Sequence, residues 1–236
     1  MKKVLAIVLA LTFMLGMVAC TQPEAKVDPN LKSEGVMTYA EYDAAKKGDA
    51  VVIEGFVQAK QSWWDNKATV YLQDGEGAYF LYEMTCSEED YAKLTVGTKI
   101  KVTGNKTEWA GEIELESGCT FTFVDTEDTW VATAMDATAL LGTDDLIKHQ
   151  NKFAKFTDMT VVGIEYKNGE PGDDIYVKLS KGDAEYSFTV EYYLTGDDTD
   201  VYKAVGELKA GDVIDVEGFI YWYNGVDMHI TAVTAK

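Results

Sequence analysis

Alternation of apolar and polar residues dominates the chain from residue 50 onward. Residues 51–60 and 69–73 alternate with the period of half-buried strands. Asp74-Gly-Glu-Gly77 turns the chain, with glycine available for a positive φ, and 78–84 returns. Ser87-Glu-Glu-Asp starts with a capping residue and acids in the first turn, which predicts a short helix to Leu94. Residues 98–108 and 111–123 form a closing hairpin. The pattern then repeats: strands over 154–166, 173–180 and 184–192, a helix near 198–205 begun by Thr195-Gly-Asp-Asp, and strands over 212–223 and 225–234. Pro23, Pro29 and Pro171 all fall outside these strands, as ladder hydrogen bonding requires.

The two halves share a motif. Leu94-x-x-Gly97-x-x-Ile100-x-Val102-x-Gly104 recurs without gaps as Leu208-x-x-Gly211-x-x-Ile214-x-Val216-x-Gly218, at an offset of 114. Gly111 and Gly225 each follow behind an aromatic-rich run. A repeat this long, roughly 90–100 residues, is a domain and not a solenoid unit. The division this implies is 37–125 for the first domain, 126–137 for a linker and 138–236 for the second.

Five strands with a helix between the third and fourth, and glycines interrupting long strands, define an all-β architecture with short helices: two tandem five-stranded Greek-key barrels of the OB-fold. Val51-Val-Ile53-Glu-Gly-Phe-Val57, Val70-Tyr-Leu-Gln-Asp-Gly-Glu-Gly77 and the glycine motif resemble the OB-fold modules attached to some bacterial extracellular nucleases and surface lipoproteins. The resemblance covers about residues 50–116, and the second half through Gly211 to Gly218 and strand order. There Asp158 replaces Gly55, and "LSKGD" replaces "LQDGEG". Nothing corresponds to the nucleases' separate catalytic domain, so the resemblance implies a nucleic-acid-binding or other ligand-binding module.

The N-terminus supplies an address. Lys2 and Lys3 precede an uncharged apolar run from Val4 to Ala19, the pattern of a removed export signal. Met17-Val-Ala-Cys20 resembles a bacterial lipobox, which implies a signal peptide over 1–19, lipidation at Cys20 and a lipid-bilayer anchor. Localisation follows: exported, on the outer face of the cell membrane. Residues 20–36 hold Pro23 and Pro29 and few large apolar groups, and are expected to be a tether with a reach of about 20–25 Å.

Charge narrows the ligand classes. Without residues 1–19, 19 basic residues face 40 acidic, a net charge of −21, and every basic residue is lysine. That field repels polyphosphates, and the bidentate fork that arginine offers phosphate and guanine is missing. His149 and His229 form no zinc spacing, and neither Asp197-Asp198-x-Asp200 nor Gly172-Asp173-Asp174 fits a twelve-residue calcium loop. No metal, cofactor or catalytic set is expected. Cys86 and Cys119 could pair in the oxidising exterior, or remain two buried thiols.

OB-folds bind on the strand two–three face and with the one–two and four–five loops. In the first domain these loops are Gln61–Lys67, carrying Trp63, Trp64, Asn66 and Lys67, and Glu108–Gly111, carrying Trp109. Tyr71 and Gln73 share the outer face of strand two. Aromatic planes with nearby amides suit the apolar face of a sugar ring, so an oligosaccharide or small molecule is the expected ligand. Single-stranded nucleic acid is the alternative, stacked on the same rings with Lys60, Lys67 and Lys106 at its backbone. A third reading buries the aromatics in a structural interface, and one of Trp63 and Trp64 is expected to plug the barrel end. In the second domain Trp222 joins the core with Ile220, while Tyr221 and Tyr223 face out, to a ligand or to the first domain.

Overall fold

The computed structural model describes residues 27–236. The export signal, the lipobox and Cys20 lie outside the described residues. After a short capped helix α1 (Tyr39–Ala44), the first half runs β1 (Ala50–Lys60), β2 (Lys67–Gln73), β3 (Ala78–Thr85), α2 (Glu88–Lys93), β4 (Lys99–Trp109), β5 (Glu112–Leu115) and β6 (Thr120–Phe123). The second runs β7 (Met135–Asp136), β8 (Phe153–Tyr166), β9 (Ile175–Lys181), β10 (Ala184–Val190), α3 (Tyr192–Thr195), α4 (Asp200–Gly206), β11 (Val213–Trp222) and β12 (Val226–Ala235).

Both halves close in the same way. The order β1-β2-β3-β5-β4 is sealed by β1–β4 pairing, with β3 parallel to β5 and β6 added alongside β4. In the second half β8-β9-β10-β12-β11 is sealed by β8–β11 pairing, with β10 parallel to β12 and β7 added alongside β8. Each is a five-stranded closed barrel of the OB type.

The shared glycine motif now has a physical reading. Gly97 and Gly211 open β4 and β11 at φ of +87° and +96°, where a side chain is strained. A Cβ on Gly104 would stand 2.6 Å from Cys119 Cβ, and one on Gly218 would collide with the His229 carbonyl. Between them Ile100, Val102, Ile214 and Val216 point into the two cores and are fully buried.

Local expectations fail in four places. The strand expected over 111–123 is broken between β5 and β6, where Gly118 takes a φ of +92° and β6 moves to another part of β4. The helix expected to start at Thr195 starts later: Thr195 ends the single turn α3, and the Thr199 side chain caps α4 by accepting from the Tyr202 amide. Gly75 and Gly77 are not at positive φ; they are small because Pro29, Asn30 and the Tyr39 ring lie against them. The Asp74 carboxylate makes that turn instead, accepting from the Glu76 and Gly77 amides at 2.8 and 2.7 Å.

The fourth concerns the expected tether, whose second half is a strap on the first barrel. Lys32 Nζ donates to Asp74 Oδ2 at 2.5 Å, and the Ser33 amide donates to Glu54 Oε1. Lys99 pairs with Glu54 at 2.9 Å and also donates to the Leu31 carbonyl. Asp74 and Glu54 are buried, and a buried carboxylate without a partner is expensive, so the strap is bound by the charges it covers.

The barrels meet through an aromatic interface. Tyr71 and Phe80 stand on the outer face of β2 and β3, and Phe219 and Tyr221 on the outer face of β11. Tyr71 stacks on Phe219 with centroids 4.2 Å apart and planes 13° from parallel. Phe80 meets Tyr221 edge-on at 5.4 Å. Tyr71 Oη and His229 Nδ1 share a hydrogen bond of 2.8 Å, and the Phe153 amide donates to Gln73 Oε1 at 3.0 Å. Phe219→Ala should cost about 3–5 kcal/mol. Because it removes the ring that joins the barrels, chemical denaturation should separate into two transitions where the parent shows one.

Candidate functional site

The residues singled out from the sequence fall into buried and exposed groups. Tyr71 and Gln73 do not reach solvent: the strand two–three face of the first barrel is covered by the second barrel. Tyr221 lies in the same interface, stacked on His229 at 4.4 Å, which is the domain-contact alternative and not the ligand one. Trp63 folds back, its Nε1 donating to the Cys86 carbonyl at 2.8 Å. Trp222 packs against the second core and over Gly111.

Cys86 and Cys119 are both buried free thiols, so the disulfide is not formed. Burial pushes them up to about 11 and about 12, which removes thiolate chemistry at neutral pH.

None of the three lysines assigned to a nucleic-acid backbone is free. Lys60 lies over the Tyr91 ring and donates to the Tyr91 carbonyl. Lys67 pairs with Glu83 at 2.8 Å. Lys106 is buried and donates to the carbonyls of Tyr42 and Asp43.

Among the aromatics singled out from the sequence, two features stay open. Trp64 is 62% exposed at the tip of the β1–β2 loop, where Asp65 and Asn66 both take positive φ and the Lys67 ammonium lies 5.8 Å from the indole. The Asn66 side chain shares that exposed turn, and the Asn66 backbone carbonyl accepts from the Cys86 amide. Trp109 and Tyr223 form the second feature, 56% and 54% exposed with ring centroids 5.2 Å apart. They occupy equivalent positions, 114 residues apart, on the β4–β5 and β11–β12 hairpins. The Asn224 amide joins the two turns by donating to the Ala110 carbonyl at 2.7 Å.

Beside that ridge the barrels leave a cleft of about 310 Å³. Tyr39, Tyr42 and Asp43 line it from α1, Glu108 and Ile113 from the first hairpin, and Asn151 from the second barrel. Gln150 ties its back wall, donating to the Gly111 carbonyl and accepting from the Ile113 amide. Glu112, fully buried behind it, accepts from the Trp222 amide at 2.9 Å. Tyr42 Oη, Asn151 Oδ1 and Glu112 Oε1 are buried and have no hydrogen-bond partner.

Sequence reasoning missed these three. Glu112 alternates with Ile113 as a solvent-facing residue would, and no local signal shows that another barrel covers it. Asn151 has a faint signal in "HQNK", a polar run directly before a strand.

Burial sets the electrostatics of the interface. It pushes Glu112 up to about 9, against the opposing pull of the Asn151 side chain and the Trp222 amide. It pushes Glu114, Glu191 and Asp227 up to about 7. It pushes His229 down to about 3, so that ring is neutral in the folded protein.

This is the class the fold and surfaces define: a tandem OB-fold protein whose barrels are fused face to flank. No family model matches the chain, and no curated protein matches it. Among solved structures it is similar in chain path to the Ifi202 HINa domain in complex with 20-bp double-stranded DNA. That likeness has 9% identity, 80% of this chain, 99% of that chain and a TM-score of 0.37. It is also similar to the p202 HIN1 domain in complex with a 12-mer double-stranded DNA, at 9% identity, 83% and 98% coverage and a TM-score of 0.38. A third likeness is to a replication protein A heterotrimer bound to single-stranded DNA, at 11% identity, 82% and 51% coverage and a TM-score of 0.35. At these values the likenesses say nothing about a ligand for this chain.

The raised carboxyls give a pH dependence. Folded Glu112 holds a proton that the unfolded chain releases above its ordinary value of 4.5, so its stabilisation is complete below 4.5 and lost as pH rises to about 9. Glu114, Glu191 and Asp227 act in the same direction up to about 7. His229 acts oppositely, losing stability as pH falls below 6.5. Four carboxyls outweigh one imidazole, so thermal melts should peak near about pH 4–5 and decline toward pH 9, and Glu112→Gln should flatten the decline between about pH 7 and 9.

Proposed function

We propose that this protein is a non-catalytic binding module that holds a carbohydrate against the Trp109–Tyr223 ridge. The observation that carries the reading is the meeting of two equivalent hairpin tips, each with an aromatic ring more than half exposed. Exposed aromatic planes are costly to leave in water and match the apolar face of a pyranose. The −21 charge and the absence of arginine support a neutral ligand over a polyanion.

The reading includes display at a membrane surface through Cys20. If so, Cys20→Ser should move the exported protein from the membrane fraction to the soluble one, and unchanged fractionation would remove the anchor from the reading.

Single-stranded nucleic acid is the second reading, favoured by one observation: Trp64 is exposed on the strand one–two loop with the Lys67 ammonium beside it. The engagement of Lys60, Lys67 and Lys106 weighs against it.

One titration series separates the two. Isothermal titration with a glycan panel should find binding that is insensitive to salt and weakened at least about tenfold by Trp109→Ala with Tyr223→Ala. Binding to an oligonucleotide that falls steeply with salt and disappears in Trp64→Ala would replace the carbohydrate reading with the nucleic-acid one.

A further inference from the structure

Glu112 reaches from the first barrel into the second. It is fully buried on β5 and stands opposite Trp109 in the β4–β5 ladder. Its Oε2 accepts from the Trp222 amide at 2.9 Å, while Oε1 is buried without a donor. The Asn151 side chain, just before β8, meets this carboxyl, and Asn151 Oδ1 is a second buried acceptor without a donor. Asn151 Nδ2 is engaged elsewhere, donating to the Ile113 carbonyl at 3.2 Å. Two facing acceptors cannot satisfy each other, and a buried polar atom left unmatched is costly. A single proton on Glu112 Oε1 satisfies both. A protonated carboxyl becomes a donor and still keeps an oxygen for the Trp222 amide.

The surroundings favour that proton. The titratable groups facing Glu112 are all acids: Glu114 two residues along β5, Tyr42 from α1, Tyr71 from β2 and Tyr221 from β11. None of them offers a positive charge to an ionised carboxylate, and burial pushes Glu112 up to about 9.

The place of this contact gives it a consequence for the ridge. Trp222 directly precedes Tyr223, and Glu112 is the ladder partner of Trp109, so one carboxyl links the two strands that carry the ridge rings. The Asn224-to-Ala110 bond lies beyond it at the tips. We infer that Glu112 is a proton-bearing latch between the barrels, whose Oε1–H donates to Asn151 Oδ1 and positions Trp109 against Tyr223. Loss of the proton leaves a buried anion facing an amide oxygen, and the hairpin tips part to let water reach it. The ridge is therefore complete at neutral pH and comes apart in alkali, whichever ligand it holds.

The test follows the carboxyl and the ridge separately by nuclear magnetic resonance of the purified protein. With isotope-labelled glutamate, the carboxyl signal missing from Glu112→Gln should titrate at about 9 and not at the ordinary 4.5. With fluorotryptophan, the Trp109 signal, identified by its loss in Trp109→Phe, should move at the same midpoint toward its position in Tyr223→Ala. Glu112→Gln keeps a donor for Asn151 and an acceptor for the Trp222 amide. It should melt no lower than the parent at neutral pH and hold the Trp109 signal fixed through that midpoint. A Glu112 carboxyl that titrates near 4.5 would overturn the latch. So would a high-titrating carboxyl with an unmoved Trp109 signal, which makes Glu112 a buried acid with no hold on the ridge. A Trp109 signal that still moves in Glu112→Gln would assign the change to another group and overturn it as well.

Discussion

The contact between Tyr71 and Phe219 is the constraint on which the rest of the molecule depends. A strand two–three face that carries Tyr71 and Phe80 outward is too apolar to stand in water, and Phe219 and Tyr221 cover it. That single choice removes the usual OB-fold ligand face from solvent. It also brings the two long hairpins together at their tips and leaves the cleft behind them. The polar groups follow: the Tyr71 hydroxyl finds His229, Gln73 finds the Phe153 amide, and Glu112 finds the Trp222 amide.

Much of the fold was legible because a strand's two faces differ by one residue in register. Alternation located the strands, and the repeated glycine motif doubled every inference about one barrel into an inference about the other. The same alternation assigns Tyr71, Gln73, Tyr221 and Glu112 to outer faces without telling what lies beyond those faces. That information is non-local: Tyr71 meets a residue 148 positions away, and no periodicity contains it. The strap shows the same limit. Residues 29–34 have the composition of a linker, yet Lys32 answers Asp74, and Leu31 and Ser33 meet groups brought up by β1 and β4.

The candidate site was half legible. Aromatics placed on the strand four–five loops identified the ridge region, and Trp109 and Tyr223 remain open to solvent. Only assembled barrels could reveal that the two rings touch, or that Glu112 is buried against Asn151 and the Trp222 amide of the second barrel. The loop tryptophans show how little distance decides the outcome: Trp63 and Trp64 are neighbours, yet one is tied to the Cys86 carbonyl and the other stands in water.

The duplication has an asymmetry with a consequence for assembly. The barrels join the β2–β3 face of one to the β11–β12 face of the other, a head-to-tail contact that could in principle add copy after copy into a filament. The first barrel's own counterpart of that surface stops the series. At an offset of 114, Phe219 and Tyr221 become Asn105 and Thr107. Polar residues there offer no second Tyr71 a ring to stack on, and close that end much as the end caps of repeat proteins close theirs.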